Sequence, residues 1–250
     1  MSKTFEKKLV LKWFSILSLI CLSFFPFMQA LLGFWWALPL NVRFRPSANP
    51  IYVFLCIIIF VSIVYFWKKD LLSSLSSSKF LIFSFLSAFI FHICLASTDK
   101  GFYYAITHPF IATPYEYYAD LPKVRFYGLK EFVGNYATLM KTLSLHAHTH
   151  PPGGDVFLYL VEKIFGRGLL RSSLITVIVS ELSIIPLYYT IKLFLNKKAV
   201  RLAIIIWIFT PAIGIYNAVC MDGVFMFFML FPFYFILYPY KKKKKYTLCG

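Results

Sequence analysis

The chain has 250 residues, of which 60% are apolar and only 14% are charged, and its formal net charge is +16. A soluble domain cannot bury that much apolar surface, so the composition excludes an ordinary soluble protein and predicts one integral membrane domain. The positive charge does not indicate nucleic-acid binding, because the cations flank apolar segments or lie in one long loop. The five cysteines show no paired spacing, and we interpret them as small apolar packing residues.

Three apolar segments precede a long polar loop. The first, residues 13–36, follows a lysine-rich start. It is too long for the apolar core of a signal peptide and lacks a small-x-small cleavage site. The second and third cover residues 50–67 and 80–97, with a serine-rich linker between them. Because Lys68 and Lys69 close the second segment, we expect that linker to be cytoplasmic.

The long loop, residues 98–168, holds six of the ten acidic residues in the chain. Within it, residues 155–165 place apolar side chains on one helical face, but this segment is too short to span a membrane. We therefore expect an amphipathic helix that lies in the membrane interface. Asp155 falls near its start, where a carboxylate could satisfy free backbone N–H groups.

Three further apolar segments follow the loop, at residues 169–195, 199–218 and 222–240. If residues 155–165 lie in the interface, every short loop rich in lysine and arginine falls on the cytoplasmic side. The sequence therefore predicts an all-α polytopic membrane protein. It would have about six transmembrane helices, both termini inside, and an outer catalytic loop with amphipathic juxtamembrane helices. The final lysine run indicates either a basic cytoplasmic tail or a chain cut short.

The outer loop contains the densest cluster of groups that can accept or donate protons. Asp120 ends the segment T-P-Y-E-Y-Y-A-D, and Glu116 stands four residues earlier. On a helical turn the two carboxylates would share a face. Close carboxylates shift each other's pKa, which suits general-base catalysis. The alternative is an interfacial turn with solvated acids.

Three alternating histidines, His146, His148 and His150, lead into the turn Pro-Pro-Gly-Gly. On an extended segment they would point to one side, where they could contact a phosphate, orient a substrate hydroxyl or bind a metal. The pattern H-x-H alone is a weak metal signal and no acid occupies a standard ligand offset, so we assign no metal ligand, although a divalent metal stays open. Pro151 restricts His150 to an extended conformation, and a structural role is a further alternative.

Other charged residues lie at the borders of the predicted spans. Asp222 is at the outer end of a span, where a carboxylate is costly unless it has a function or caps the next helix. Lys123, Arg125 and Arg171 lie in the loop or at the start of the next span. They could hold the phosphate of a lipid-linked substrate, and solvated or lipid-facing charges are the alternative.

A series of motifs in this order has a counterpart in a known superfamily. An acidic loop after a span is followed by His150-Pro151-Pro152-Gly153, an amphipathic helix ending in Lys-Ile-Phe-Gly, and the pair Leu170-Arg171. This series resembles the GT-C glycosyltransferases, closest to the bacterial RgtA/B/C/D-like enzymes, the protein O-mannosyltransferases and the aminoarabinose transferases. The similarity covers about residues 115–240, and Asp222 resembles an aspartate that begins a span at their next outer turn.

The resemblance implies a mechanism. A sugar would arrive on a polyprenyl phosphate at the outer face and would be transferred with inversion to an acceptor hydroxyl. An aspartate of the first large outer loop would be the general base, and Asp120 is the position to which that role is carried. The family's acidic pair is often Asp-Glu beside Tyr-Ala, whereas here Tyr118-Ala119 precedes Asp120, so the base stays open between Asp120 and Glu116. Contact with the phosphate would fall to His150 and Arg171.

The resemblance also implies partners and a location. The partners would be membrane lipid, a polyprenyl-phosphate sugar and a glycan, lipid or protein acceptor, with no nucleic acid and no certain cofactor. The protein would be multi-pass in the cell membrane, specifically the bacterial inner membrane. Relatives continue for several more spans, so we expect a C-terminally truncated chain. Two alternatives are a transporter of lipid or solute, with Glu181 and His92 as intramembrane polar groups, and a histidine-ligated membrane metalloenzyme.

Overall fold

The structure, a computed structural model, describes residues 48–112 and 116–247. These residues form helices joined by turns, with no strand among them. The predicted all-α polytopic fold is confirmed. The predicted first span, residues 13–36, lies outside the described part of the chain.

Fourteen α-helices are present in the described ranges. In chain order they are α1 Pro50–Lys68, α2 Leu71–Ser74, α3 Ser77–Ala96, α4 Phe102–Thr107, α5 Leu121–Tyr127, α6 Leu129–Gly134, α7 Tyr136–Leu139, α8 Leu145–Thr149, α9 Gly153–Phe165, α10 Leu169–Glu181, α11 Ile184–Lys192, α12 Lys197–Ile208, α13 Pro211–Val219 and α14 Asp222–Thr247. Three short 3-10 helices add to them, at His108–Phe110, Tyr117–Asp120 and Met140–Thr142.

Four helical stretches of the described chain are long and apolar enough to cross a membrane: α1, α3, α10 together with α11, and the part of α14 up to Tyr240. The pair α12 and α13 makes a fifth if it counts as one span, although its two halves are bent by 63°. The bend falls where Pro211 begins α13, because a proline cannot continue the hydrogen-bond ladder of the preceding helix. Helix α9, with 13 residues, is amphipathic and is not among the candidate spans.

Polar side chains set where several of these helices begin. Asn49 accepts a hydrogen bond from the backbone N–H of Ile51, and Pro50 takes the first position of α1. Ser76 caps α3 through the backbone N–H of Lys79, and Asn196 caps α12 in the same way. Each cap satisfies a backbone donor that the helix itself leaves unpaired.

One end of the bundle is held together by Arg201, which is fully buried in α12. Its guanidinium donates hydrogen bonds to the carbonyl oxygens of Leu72 and Leu75 in and after α2, the second at 2.6 Å. The same group lies 4.8 Å from the centre of the Phe80 ring in α3. This arginine therefore ties three elements together and compensates the cost of its own burial.

In the interior of the bundle, the side chain of His92 in α3 contacts that of Glu181 in α10. Both side chains are fully buried, and Nδ1 of His92 lies 2.6 Å from Oε1 of Glu181. Nε2 of His92 lies 2.8 Å from the carbonyl oxygen of Ile208, next to the bend between α12 and α13. The sequence left Glu181 without a partner, and the structure supplies His92.

The loop at residues 97–168 packs at the opposite end of the bundle from Arg201. The backbone N–H of Asn49 donates to the carbonyl oxygen of Thr98 at 2.5 Å, so the start of α1 and the end of α3 meet there. A buried apolar cluster then fixes the loop on the start of α14. Its buried members are Phe110, Tyr117, Leu121, Ala147, Leu158, Met221 and Val224.

Candidate active site

A cavity of about 470 Å³ opens at the loop end of the bundle. It lies between the 3-10 turn at His108, the segment that begins at Glu116, the histidine turn that ends at His150, and the junction of α13 with α14. Its lining residues are His108, Pro109, Ala112, Glu116, Tyr117, His146, His150, Tyr216, Cys220, Met221 and Asp222. The fold therefore brings four of the sequence candidates into one cavity: Glu116, His146, His150 and Asp222.

Glu116 is the carboxylate of the outer loop that reaches this cavity. Its Oε1 lies 3.9 Å from Nε2 of His146, and its side chain is 31% exposed. Partial burial raises the pKa of Glu116 above its ordinary value, His146 opposes that rise, and the negative charge of Asp222 adds to it. A carboxylate with a raised pKa is a stronger base, and it therefore accepts the proton of a substrate hydroxyl more readily.

His146 and His148 lie on α8 and only His150, which follows its end, is extended, so the prediction of an extended segment with all three side chains on one side is wrong. Ser144 caps α8 by accepting from the backbone N–H of Ala147 at 3.5 Å, and this cap favours a helical turn. Residues four apart then share a face. His146 and His150 line the cavity with ring centroids 6.3 Å apart, whereas His148 is exposed and is not in the lining.

The orientation of His150 is fixed by its neighbours. It leaves the helix with φ −123° and ψ 162°, the extended conformation that the following proline demands. Its Nδ1 lies 2.8 Å from the carbonyl oxygen of His146. Because a carbonyl oxygen can only accept, Nδ1 carries a hydrogen, and Nε2 is left to contact a ligand.

The side chain of Tyr136 contacts the backbone of the turn that carries the histidines. Its hydroxyl lies within hydrogen-bonding distance of the carbonyl oxygens of Ala147 and His150, the second at 2.9 Å. Burial, followed by the negative charges of Asp155 and Asp120, raises the pKa of Tyr136 to about 12. The phenol therefore stays protonated and keeps its donor hydrogen over the whole physiological range.

Asp222 reaches the cavity from the first residue of α14. The thiol of Cys220 lies 3.4 Å from Oδ2 of this carboxylate. Burial, the first of several causes, raises the pKa of Cys220 to about 12, so this cysteine is a protonated donor rather than a nucleophile. The next residue, Gly223, packs so closely on Ser180 that a Cβ would lie 2.6 Å from its side chain. That close approach fixes the start of α14 against α10.

Asp120 does not line the cavity. Its side chain is buried, and its two carboxylate oxygens accept from the backbone N–H of Ser144 at 3.1 and 2.8 Å. The expectation that it shares a helical face with Glu116 is wrong. Glu116 is extended, with φ −86° and ψ 143°, and Tyr117–Asp120 is a 3-10 helix of four residues, so the two carboxylates diverge.

Asp155 is a buried carboxylate whose surroundings the sequence did not indicate. It lies in the first turn of α9, is fully buried, and neither oxygen has a hydrogen-bond partner within the described chain. The expectation that it satisfies backbone N–H groups is therefore wrong. Burial first, and the charge of Asp120 second, raise the pKa of Asp155 to about 8. At neutral pH this side chain is a protonated, uncharged acid behind the cavity wall.

The predicted phosphate-binding cations are placed outside the cavity lining and have partners in the loop. Lys123 donates to the carbonyl oxygen of Thr142. Arg125 pairs with Glu162 at 2.7 Å. Arg171 donates to the carbonyl oxygen of Phe165 at 2.8 Å. In this structure these three side chains hold segments of the loop together.

No group of three or more histidine, cysteine, aspartate or glutamate side chains is arranged to hold a metal ion within residues 48–112 and 116–247. His108, which precedes Pro109, lines the cavity and was not among the sequence candidates. The ring of His108 stacks on that of Tyr104 at 4.1 Å. The His-Pro pair was the one available signal for its place near the site.

One comparison with known proteins gives a match. The model of a family described as dolichyl-phosphate-mannose-protein mannosyltransferase matches residues 149–250, less than half of the chain. The matched part includes His150 and Asp222 of the cavity and excludes Glu116 and His146. No curated protein and no solved structure matches the chain. The family is one of glycosyltransferases that use lipid-linked sugar donors.

Proposed function

We propose that this membrane protein is a glycosyltransferase that moves a sugar from a polyprenyl-phosphate donor to an acceptor hydroxyl, with Glu116 as the general base. One observation carries the proposal. Glu116 shares its cavity with His150 and Asp222, which belong to the part of the chain that matches a lipid-linked mannosyltransferase family. Dolichol is a polyprenol, so the family description supports the donor class. The sugar itself is left open.

The reaction in this cavity is a single displacement. Glu116 takes the proton of the acceptor hydroxyl while the hydroxyl oxygen attacks the anomeric carbon of the sugar. The bond from that carbon to the phosphate oxygen breaks, and the polyprenyl phosphate leaves with the electron pair. Attack opposite the leaving group inverts the anomeric configuration. The balance needs no oxidant and no further reactant.

Glu116 suits the role of base better than Asp120 for two physical reasons. It is in the cavity wall, where a hydroxyl can reach it, whereas Asp120 is buried and both its oxygens face the backbone N–H of Ser144. The pKa of Glu116 is also raised by partial burial, which strengthens it as a proton acceptor. Asp120 is a positioning residue, because it joins the segment after Glu116 to the cap of α8.

The other cavity residues hold the substrates. Nε2 of His150 can form a hydrogen bond with a sugar or acceptor hydroxyl, since Nδ1 is engaged by the carbonyl of His146. Asp222 can accept from a second hydroxyl. His146, whose Nε2 lies 3.9 Å from Oε1 of Glu116, can contact a phosphate oxygen in the same cavity.

The orientation in the membrane is part of the proposal. The cavity lies on the side of residues 97–168, and the lysines at positions 68, 69, 192, 197 and 198 lie towards the other end of the helices. The excess of lysine predicts that the latter end is cytoplasmic, so the cavity faces outward. For a bacterial cell this means the periplasmic face of the inner membrane.

The test uses the full chain in proteoliposomes with a panel of radiolabelled polyprenyl-phosphate sugars, mannose first, and a membrane extract as acceptor. We measure transfer of label and release of polyprenyl phosphate. We expect Glu116→Gln to reduce turnover by about 10²–10⁴-fold, the contribution of a general base. Asp70→Asn, at an exposed position on the other end of the bundle, is the control and should keep full activity. Turnover that survives Glu116→Gln would remove Glu116 as the base, and no release from any donor would contradict the proposed function.

A further inference from the structure

A second cavity, of about 250 Å³, lies between α5 and α9, away from the proposed active site. Its lining contains three cations and one carboxylate. The lining residues are Arg125, Tyr159, Glu162, Lys163 and Arg167. None of them lines the larger cavity. With three positive charges against one negative, the second cavity has an excess positive charge of two and favours an anion.

Two of the three cations of this cavity have a side-chain contact of their own. Arg125 pairs with Glu162 at 2.7 Å. The side chain of Glu162 is only 4% exposed, so the pair is fixed at its buried carboxylate. Nζ of Lys163 lies 5.6 Å from the centre of the Tyr159 ring. Oriented guanidinium groups match the oxygens of a phosphate, which they can bind in a bidentate way.

Arg167 is positioned by the loop between α9 and α10. This loop consists of Gly166, Arg167 and Gly168, and both glycines have positive φ, at 85° and 152°. Arg171 clamps it, because Nη1 donates to the carbonyl oxygen of Phe165 at 2.8 Å and lies 3.4 Å from that of Arg167. The clamp gives Arg171 a structural role and holds the Arg167 backbone at the edge of the second cavity.

The surroundings of this cavity are those of a membrane surface. On α9 the side chains of Leu160, Ile164 and Phe165 are 41%, 71% and 49% exposed. The chain enters its next candidate span at Leu169, directly after Arg167. An amphipathic helix with exposed apolar side chains and flanking cations lies in the interface between lipid tails and headgroups. The anionic group present in that interface is the phosphate of a lipid headgroup.

We propose that Arg125, Lys163 and Arg167 form a binding site for the phosphate headgroup of an anionic membrane lipid, distinct from the donor cavity. The lipid's acyl chains would lie along the exposed apolar side of α9. The bound lipid would hold α9, and with it the turn at His150, at a fixed depth in the membrane. This inference does not depend on the proposed glycosyl transfer.

The test is a binding measurement on the purified full chain in detergent, by native mass spectrometry. Dioleoyl-phosphatidylglycerol and dioleoyl-phosphatidylcholine are titrated separately. The test variant is Lys163→Gln/Arg167→Gln, at two exposed positions, which leaves the Arg125–Glu162 pair intact. The control is Lys130→Gln/Lys141→Gln, which removes the same charge from two exposed positions of the loop outside this cavity.

We expect wild type and control to bind phosphatidylglycerol about tenfold more tightly than phosphatidylcholine, and the test variant to lose that preference. Lys163→Glu, a single reversal of charge that leaves the cavity with the same net charge as the test variant, should also lose the preference for phosphatidylglycerol. Equal loss in test variant and control would reduce the effect to net charge and overturn the site. Displacement of phosphatidylglycerol by millimolar inorganic phosphate would overturn the lipid assignment in favour of a soluble anion. A test variant that no longer gives a monodisperse folded protein is replaced by Lys163→Glu, for which unchanged binding would equally refute the site.

Discussion

Gly154 lies against the aromatic ring of Tyr117, so closely that a Cβ at residue 154 would sit 2.7 Å from two ring carbons. Real Cβ atoms do not approach other atoms to that distance, and the ring is fixed in a buried cluster with Leu158 and Val224. Tyr117 directly follows Glu116 in the chain. The glycine after the His-Pro-Pro turn is therefore what allows the proposed base and the histidine turn to occupy one cavity.

Gly154→Ala tests this contact. The new methyl group must displace the ring of Tyr117, and we expect a loss of about 1–3 kcal/mol in the free energy of unfolding together with reduced transfer, because Glu116 moves with its neighbour. Gly153→Ala is the matched control. Its Cβ would lie 3.9 Å from the nearest atom, in the ring of Phe225, an ordinary contact. Alanine is also the better helix former, so this variant should be neutral or slightly stabilising. Denaturant titration in mixed micelles measures both, and equal effects would contradict the packing argument.

The buried pair of His92 and Glu181 gives a second prediction. Glu181→Leu leaves Nδ1 of the imidazole without its partner at 2.6 Å in an apolar interior, and we expect a loss of about 1–3 kcal/mol in the free energy of unfolding. The double variant His92→Leu/Glu181→Leu should cost less than the sum of the single changes, by at least about 1 kcal/mol. A double-mutant cycle by denaturant titration measures the difference.

Ser172→Ala is the control for this cycle. Ser172 is also buried in α10, but its hydroxyl has no hydrogen-bond partner within the described chain. Removing it should change the free energy of unfolding by less than about 0.5 kcal/mol. An additive cycle for the pair, or a serine effect as large as that of Glu181→Leu, would show that the contact does not stabilise the bundle. The pairing gives both residues a structural use inside the bundle, where the transport hypothesis had needed them as free polar groups.

The parts of this protein that the sequence could predict are those governed by local rules. Apolar length indicated the helices at α1, α3 and α10, and amphipathic spacing indicated α9. Steric restriction before a proline indicated the extended His150. The remaining features depend on long-range packing. His92 and Glu181 are 89 residues apart in the chain, and no periodicity links them.

The candidate site likewise combines features that the sequence predicted with features that depend on packing. The sequence offered Glu116 and Asp120, four residues apart, as candidate bases and favoured Asp120. The short 3-10 helix after Glu116 gives the two side chains different directions. The carboxylate of Glu116 lines the cavity, and that of Asp120 contacts the backbone of Ser144. The burial of Asp155 was also hidden, since it depends on how α9 packs against Tyr117 and Tyr136.

Asp155 gives a prediction about stability and pH. Its pKa is raised from 3.8 to about 8 in the folded protein. Between these values the folded state keeps a proton that the unfolded state has lost, so the free energy of unfolding decreases as pH rises through this window and levels off above about 8. Compared with Asp155→Asn, wild type should lose roughly 1 kcal/mol per pH unit across the window.

The measurement is denaturant titration of wild type and Asp155→Asn at several pH values, and the informative quantity is their difference, because other groups titrate equally in both. Asp70→Asn serves as the control, since the side chain of Asp70 is 70% exposed. Asparagine tolerates the left-handed backbone that Asp70 adopts, with φ 54°. A difference between wild type and Asp155→Asn that stays constant with pH would show that Asp155 is ionised in the folded protein.

Glu116 gives a prediction about activity and pH. A general base works only when deprotonated, so kcat/KM should rise with pH through the pKa of Glu116, which lies above the ordinary 4.5. The two charged neighbours act in opposite directions. Asp222 raises this pKa and His146 lowers it. Asp222→Asn should therefore shift the rising limb of the pH profile to lower pH, and His146→Gln should shift it to higher pH.

Both variants can lower the maximal rate by losing a substrate contact, but only the loss of a charge shifts the rising limb of the pH profile. Opposite shifts therefore distinguish an electrostatic role from a loss of substrate contact. Glu116→Gln should abolish the limb together with most of the activity. Shifts in the same direction for Asp222→Asn and His146→Gln would mean that a different group controls the profile. If the limb persists in Glu116→Gln and disappears in Asp120→Asn, the base is the buried aspartate, and the loop must rearrange to expose it.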